Sequence, residues 1–245
     1  MARRKIGELR KIGLIGGMSF ESSAIYYRMV NEAVRARLGA LHSAEVLLHS
    51  FDFQRIVDLQ KAGRWDEAAR RLSEVARGLE SAGAECVLIC TNTMHLIADA
   101  VQAAVGVPLI NIIDETALRL KAAECRKPLL LATRYTMEHG FYAERMRAHG
   151  IDVMVPDAEG RTLTHNVIFD ELCAGRVLDA SREALSALIE QAKSAGADAV
   201  ILGCTEICLI LDPARLPLRG FDSTAIHAEA AVEFALGAER MHAAA

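Results

Sequence analysis

The sequence predicts an α/β fold of two pseudo-symmetric lobes, each a short parallel sheet flanked by helices, on three observations. Short apolar runs alternate with longer amphipathic stretches, the order of segments in the first half recurs in the second, and 52% of the residues are hydrophobic. Strands covered on both faces read as near-continuous Val, Ile and Leu runs, and helices between them supply parallel crossovers. A chain of 245 residues accommodates one large domain or two of ordinary size.

The elements follow in order. Residues 12–15, 46–48, 87–89 and 109–113 are short, rich in Val, Ile and Leu, and bounded by polar residues or glycine, which predicts strands. Residues 22–38 predict a helix with Ile25, Met29, Ala33 and Val34 as its apolar positions. Residues 65–82 predict another, with Trp65, Ala68, Ala69, Leu72, Val75, Ala76 and Leu79 at helical spacing, and 95–105 fill the third gap. The second half offers strands at 129–131, 153–155, 200–202 and 218–221, then a closing helix over 225–241.

The two halves also match residue by residue. Lys11-Ile-Gly-Leu-Ile-Gly-Gly17 aligns with Lys127-Pro-Leu-Leu-Leu-Ala-Thr133, Ser81-Ala-Gly-Ala84 recurs as Ser194-Ala-Gly-Ala197, and Pro108-Leu109 as Pro217-Leu218. Lobe one is expected to take residues 1–108 plus 218–245, with the closing helix packed back on it, and lobe two residues 109–217.

Composition excludes several classes. Lys plus Arg number 28 against 32 Asp plus Glu, a net charge of −4, so no basic field exists for nucleic acid. The basic opening Arg3-Arg4-Lys5 is followed by Glu8, Arg10 and Lys11 before any apolar run. The apolar runs fall far short of the ~18 residues a membrane span needs. A soluble cytoplasmic protein is expected. Six scattered cysteines make no disulfide scaffold. Cys86 and Cys90 share a strand on which four residues cover about 13 Å, too far apart for one zinc ion bound at ~2.3 Å from each sulfur. No metal site is expected. Cys86, Cys125, Cys173 and Cys208 read as buried small hydrophobes.

Ligands of such folds gather at the carboxyl ends of strands. That rule selects Gly16-Gly17-Met18-Ser19, Cys90-Thr91-Asn92-Thr93, Thr133-Arg134-Tyr135-Thr136 and Gly203-Cys204-Thr205-Glu206. None contains a lysine for a pyridoxal Schiff base, so no cofactor is expected. An ungapped overlay of residues 81–92 on 194–205 sets Thr91 opposite Cys204 and Cys90 opposite Gly203. Neighbouring strand residues face opposite ways, so Cys90 turns away if Thr91 turns in. Thr91 is favoured for the site, with Cys90 the alternative.

Gly16-Gly17-Met18-Ser19, Cys90-Thr91-Asn92-Thr93-Met94-His95 and Gly203-Cys204-Thr205-Glu206 resemble the strand-end loops of the aspartate/glutamate racemase family over essentially the whole chain. Glutamate racemases of cell-wall synthesis typically carry His in place of Glu206, so the likeness is closer to the aspartate or broad-specificity branch. The resemblance implies cofactor-independent racemisation in a cleft between the lobes, by Cys204 on one face of the substrate and Thr91, or Cys90, on the other. It implies a homodimer and a small amino-acid or dicarboxylate substrate, held by Gly17, Met18, Ser19, Asn92, Thr93, Thr133, Thr205 and Glu206. A helix starting after Cys204 is expected to aim its amides at the sulfur and lower its pKa.

The sequence departs from the family pattern twice. Most members carry Cys immediately before the Asn of Asn-Thr-x-His, where this chain has Thr91. The family also uses an Arg in lobe one and often a Lys in lobe two, yet no lysine stands between Lys127 and Lys193. Arg55 and Arg161 are the candidates for carboxylate recognition. The alternatives are a single-thiol decarboxylase or isomerase of small dicarboxylic acids on the same fold, and a two-lobed binding protein without catalysis.

Overall fold

Strand β1 (Ile12–Gly16) is buried at every residue, which demands a covering layer on each face and a hydrogen-bonded strand on each edge. A computed structural model, which describes residues 9–237, supplies all four. Arg3-Arg4-Lys5 and the last residues expected of the closing helix lie outside the described residues. After β1 come α1 (Phe20–Leu38), β2 (Val46–Ser50), α2 (Phe53–Lys61), α3 (Trp65–Ser81), β3 (Cys86–Ile89) and α4 (Ala98–Ala103). β1 pairs in parallel with β2, Ile12 opposite Val46, and with β3, Ile12 opposite Cys86. The wholly buried stripe of α1 is Tyr26, Val30 and Val34, of which Val34 is as expected while Tyr26 and Val30 lie one residue on from Ile25 and Met29, and the buried residues of α3 include Ala68, Leu72, Ala76 and Leu79.

The second set comprises α5 (Ile112–Ala122), β4 (Pro128–Leu131), α6 (Arg134–Glu138), α7 (Phe141–Ala148), α8 (Ala158–Asn166), α9 (Asp179–Ser194), β5 (Ala199–Leu202), β6 (Arg219–Asp222) and α10 (Ser223–Ala235). β5 lies between β4 and β6, all parallel. Alternate residues of this sheet enter two separate apolar clusters, as a period of two requires. Leu130, Ile201 and Phe221 pack with α5 and α7, while Leu129, Leu131, Val200 and Leu202 pack with α9. Among the described residues no helix is long and apolar enough to cross a membrane.

Two expected strands shrink to single bridges. Residues 109–113 pair only through Leu109, opposite Val87, because the Asn111 side chain accepts the Ile113 amide at 2.9 Å and starts α5 there. Residues 153–155 pair only through Met154, opposite Leu129. Each bridge sits where the other sheet has a full strand. Counting the bridges, the order is β2-β1-β3-Leu109 in one sheet and Met154-β4-β5-β6 in the other. The repeat read in the sequence is thus a repeat of topology.

Contacts divide the chain into two units, one of residues up to Cys90, Ile97–Ile110 and Ala228 onward, the other of Thr91–Leu96 and Asn111–His227. The return after 217 expected from the sequence comes ten residues later. β6 is hydrogen-bonded to β5 and cannot leave that sheet, so only the later part of α10, with Ala231 and Val232, joins the core of Tyr26, Val30 and Leu88.

Asp114 of α5 holds α7 through Arg145, at 2.7 and 2.8 Å, and His149, at 2.9 Å. Burial alone would raise the Asp114 pKa, but the Arg145 and His149 bonds outweigh it and hold the carboxyl below its ordinary value. A depressed carboxylate pKa contributes stability above the unfolded-state value near ~3.9, lost as pH falls through the folded one. Asp114→Asn should therefore cost about 1–2 kcal/mol at neutral pH, and the denaturation curves of the two proteins should converge in acid. A gap that is constant at every pH would show that the carboxylate charge is not what ties the helices.

Candidate active site

The loop after β1 is built around Gly17. Its φ of +78° is left-handed, and a Cβ there would collide with the backbone of Phe51. The Gly17 amide donates to Ser23 Oγ at 2.7 Å, Ser19 caps α1, and Ser22 Oγ donates to the Cys90 carbonyl at 3.2 Å. Met18 is buried. Arg55, in the first turn of α2, is 73% exposed and pairs only loosely with Asp52 at 3.4 Å.

The register at the ends of β3 and β5 decides which side chains face which way. Ile15 lies opposite Ile89 and Leu131 opposite Leu202. The Cys90 amide then donates to Ile15 at 3.0 Å, and the Gly203 amide to Leu131 at 2.8 Å. Cys90 and Gly203 are therefore equivalent, and so are Thr91 and Cys204, as in the ungapped overlay. The Cys90 side chain is sealed in the core beside Leu88 and Ala231, and burial drives its thiol far up from the usual range. Thr91 and Cys204 are both partly exposed.

Cys204 does not sit as expected. A 3-10 turn, Thr205–Leu209, follows it instead of a regular helix, and its Sγ donates to Glu206 Oε2 at 2.9 Å. Thr205 Oγ1 donates to the same oxygen at 3.1 Å. Burial, then the adjacent Glu206 carboxylate, pushes the thiol pKa well up rather than down. The resting group is a thiol bonded to a carboxylate. Of the other cysteines, Cys86 and Cys125 are buried as expected, Cys208 is half-buried and Cys173 is exposed.

Beside Thr91, Asn92 Nδ2 donates to Ser223 Oγ at 3.1 Å, and Ser223 spends its one proton on the Leu202 carbonyl at 2.9 Å. Ser223 can therefore only accept from Asn92, which fixes the amide orientation. Asn92 Oδ1 points the other way, buried and without a partner among the described residues. Thr93, Thr133 and Thr136 form a triangle of hydroxyls with edges of 3.0, 3.1 and 3.1 Å. Arg161 is committed elsewhere: its Nε donates to Glu138 at 2.9 Å and its Nη1 to the Pro156 carbonyl at 2.9 Å.

Ser223 was not anticipated, and Thr136, although it lies in a loop that the strand-end rule selected, was not named as a site residue. Ser223 follows β6, so the strand-end rule applied to a fifth loop would have found it. Thr136 comes into play because Thr133 caps α6 and bends the chain so that both hydroxyls meet. Among the described residues no cluster of His, Cys, Asp and Glu could hold a metal ion.

The family model for Asp/Glu/hydantoin racemases matches residues 15–231. The chain belongs to that family. Among solved members, a candidate Asp/Glu racemase from Yersinia pestis is 47% identical, with a TM-score of 0.88 over 93% of this chain and 100% of that one. An aspartate racemase homologue from Pyrococcus horikoshii OT3 is 34% identical, TM-score 0.83, over 93% and 99%. The broad-specificity amino-acid racemase RacX of Bacillus subtilis is 23% identical over 228 residues, 90% of this chain and 96% of RacX. Like those of its relatives named as racemases, this Asp/Glu racemase-family chain is an isomerase of amino acids.

Removing the Glu206 charge isolates its effect on the thiol. Glu206→Gln should shift the ultraviolet titration of Cys204, read as the difference from Cys204→Ser, to lower pH. An unchanged or higher midpoint would mean that the carboxylate does not act on the sulfur.

Proposed function

We propose that this protein racemises aspartate, glutamate or a related amino acid without a cofactor, with Cys204 and Thr91 as the acid/base pair. What carries the proposal is the shared register of these two residues at the ends of equivalent strands, both partly exposed, while Cys90 is sealed in apolar core.

An amino-acid α-proton is weakly acidic, so its removal needs a base close to the α-carbon and a means of spreading the negative charge left behind. In this scheme Cys204 passes its proton to Glu206, 2.9 Å away, and the thiolate takes the α-proton of the L-enantiomer. The electron pair left on carbon spreads into the substrate carboxylate, which the Thr93, Thr133 and Thr136 hydroxyls receive. The orphan Asn92 Oδ1 accepts from the substrate ammonium, which removes an unsatisfied buried acceptor. Thr91 delivers its hydroxyl proton to the opposite face, and the proton held by Glu206 passes through water to Thr91, which returns every group to its starting state. Thr205 completes the wall beside Cys204. Arg161 has no part in this scheme, because both its strong bonds are internal. In the same reading the protein works as a cytoplasmic homodimer.

The two faces are chemically unequal. A hydroxyl is scarcely ionised at neutral pH, so Thr91 is a poor base toward the D-enantiomer. In D₂O the L-enantiomer should exchange its α-proton faster than the D-enantiomer. Cys204→Ser should cut turnover by about 10²–10⁴, Thr91→Cys should raise exchange from the D-side, and Cys90→Ala should leave both rates near normal. Loss of exchange in Cys90→Ala with its retention in Thr91→Ala would reverse the assignment.

A further inference from the structure

His95 is 5% exposed and makes two bonds at once. Its Nδ1 lies 2.8 Å from the Thr91 carbonyl oxygen, and its Nε2 lies 3.2 Å from the backbone nitrogen of Ile112, the first residue of α5. An amide N–H can only donate, so Nε2 is the acceptor and carries no proton. The proton of the neutral ring is then on Nδ1, donated to Thr91. Both nitrogens are spent, and the ring is packed edge-on against His227, their centroids 5.7 Å apart.

We infer that His95 is the positioning residue for Thr91: its imidazole locks the Thr91 carbonyl to the start of α5 and so aims the hydroxyl. This rests on the assignment of Thr91 as an acid/base group. The peptide plane following Thr91 sets the direction in which its Cβ leaves the backbone, and a carbonyl at the end of a strand has no ladder bond to hold that plane. The preceding plane is already fixed by the Cys90 amide bond to Ile15 at 3.0 Å. With the imidazole bond added, the backbone is held on both sides of the hydroxyl. Misplacement of a reacting group by about 1 Å can cost 10²-fold in rate. His95 is not a proton relay. Burial, opposed by the Thr91 bond, lowers its pKa to about 4, with Arg145 lowering and Asp114 raising it further off, so the ring stays neutral in the working range.

The two bonds can be removed separately. In His95→Asn the side-chain amide nitrogen takes the place of Nδ1, keeping the Thr91 bond and losing the Ile112 bond. In His95→Gln the longer side chain reaches the place of Nε2, keeping the Ile112 bond and releasing Thr91. The readout is conversion of L- to D-aspartate or glutamate, which needs Thr91, divided by α-proton washout from the L-enantiomer in D₂O, which needs only Cys204. The expected result is that His95→Gln lowers this ratio at least about tenfold, while His95→Asn stays within about threefold of the unmodified protein. Equal loss of conversion and washout in His95→Gln, or no loss, would overturn the inference, since a general packing defect lowers both together. The ¹⁵N spectrum of the histidines gives a readout independent of activity. His95 should hold the Nδ1–H tautomer from about pH 5 to 8, and a proton on Nε2 anywhere in that range would overturn the bridge. Absence of washout in the unmodified protein would fail the racemase reading instead, and the spectrum would still decide the bridge.

Discussion

Two backbone hydrogen bonds, Cys90 to Ile15 and Gly203 to Leu131, govern which side chain each sheet offers beyond its third strand. Because side chains alternate along a strand, a slip of one residue at either place would exchange core for site. The slip is blocked by burial. β1, β3, β4 and β5 are apolar throughout and covered on both faces, so their register is set by the packing of whole sheets rather than by the site. Cys90 goes into the core as a consequence, and Thr91 and Cys204 emerge at equivalent points. A cysteine at a buried strand end is thus an inert hydrophobe, one residue from a position where a thiol would be reactive.

The second constraint is electrostatic. Glu206 lies against Cys204 and raises the cost of ionising the thiol in place. The side of Thr91 carries no such carboxylate bond in its immediate loop; its neighbour there is a neutral, doubly bonded imidazole. In the proposed scheme one member of the pair therefore has a carboxylate beside it to take its proton, whereas the other has only its own hydroxyl. Near Thr91 the polar groups are neutral, the Asn92 amide with its unpartnered Oδ1 and the three threonine hydroxyls.

Much of this was legible in the sequence because buried parallel strands are short and continuously apolar, a signal with few mimics. The same signal misled at residues 109–113, where Asn111 offered a helix cap that outweighed the β-branched run beside it. The lobe boundary at 217 was misplaced as well, although the repeat had counted 218–221 among the second set of strands, where β6 does stay with β5. The pairing of Thr91 with Cys204 was legible because the repeat needed no gap. The direction of the Cys204 pKa was not, since it depends on a short turn bringing Glu206 back onto the sulfur, and turn geometry is invisible in the spacing Cys-Thr-Glu. The orphan oxygen of Asn92 and the threonine triangle likewise depend on contacts between segments far apart in the chain. Arg161 illustrates the reverse case, a plausible cation in sequence that the fold spends on Glu138.

Proton NMR of the unmodified protein in D₂O tests the central claim most directly. Incubation with L-aspartate or L-glutamate should erase the α-proton signal and, more slowly, build up the D-enantiomer, with no carbon dioxide released and no metal or cofactor added. Carbon dioxide release from a substituted malonate, with the α-protons of both amino acids untouched, would contradict the account and leave a decarboxylase on the same fold.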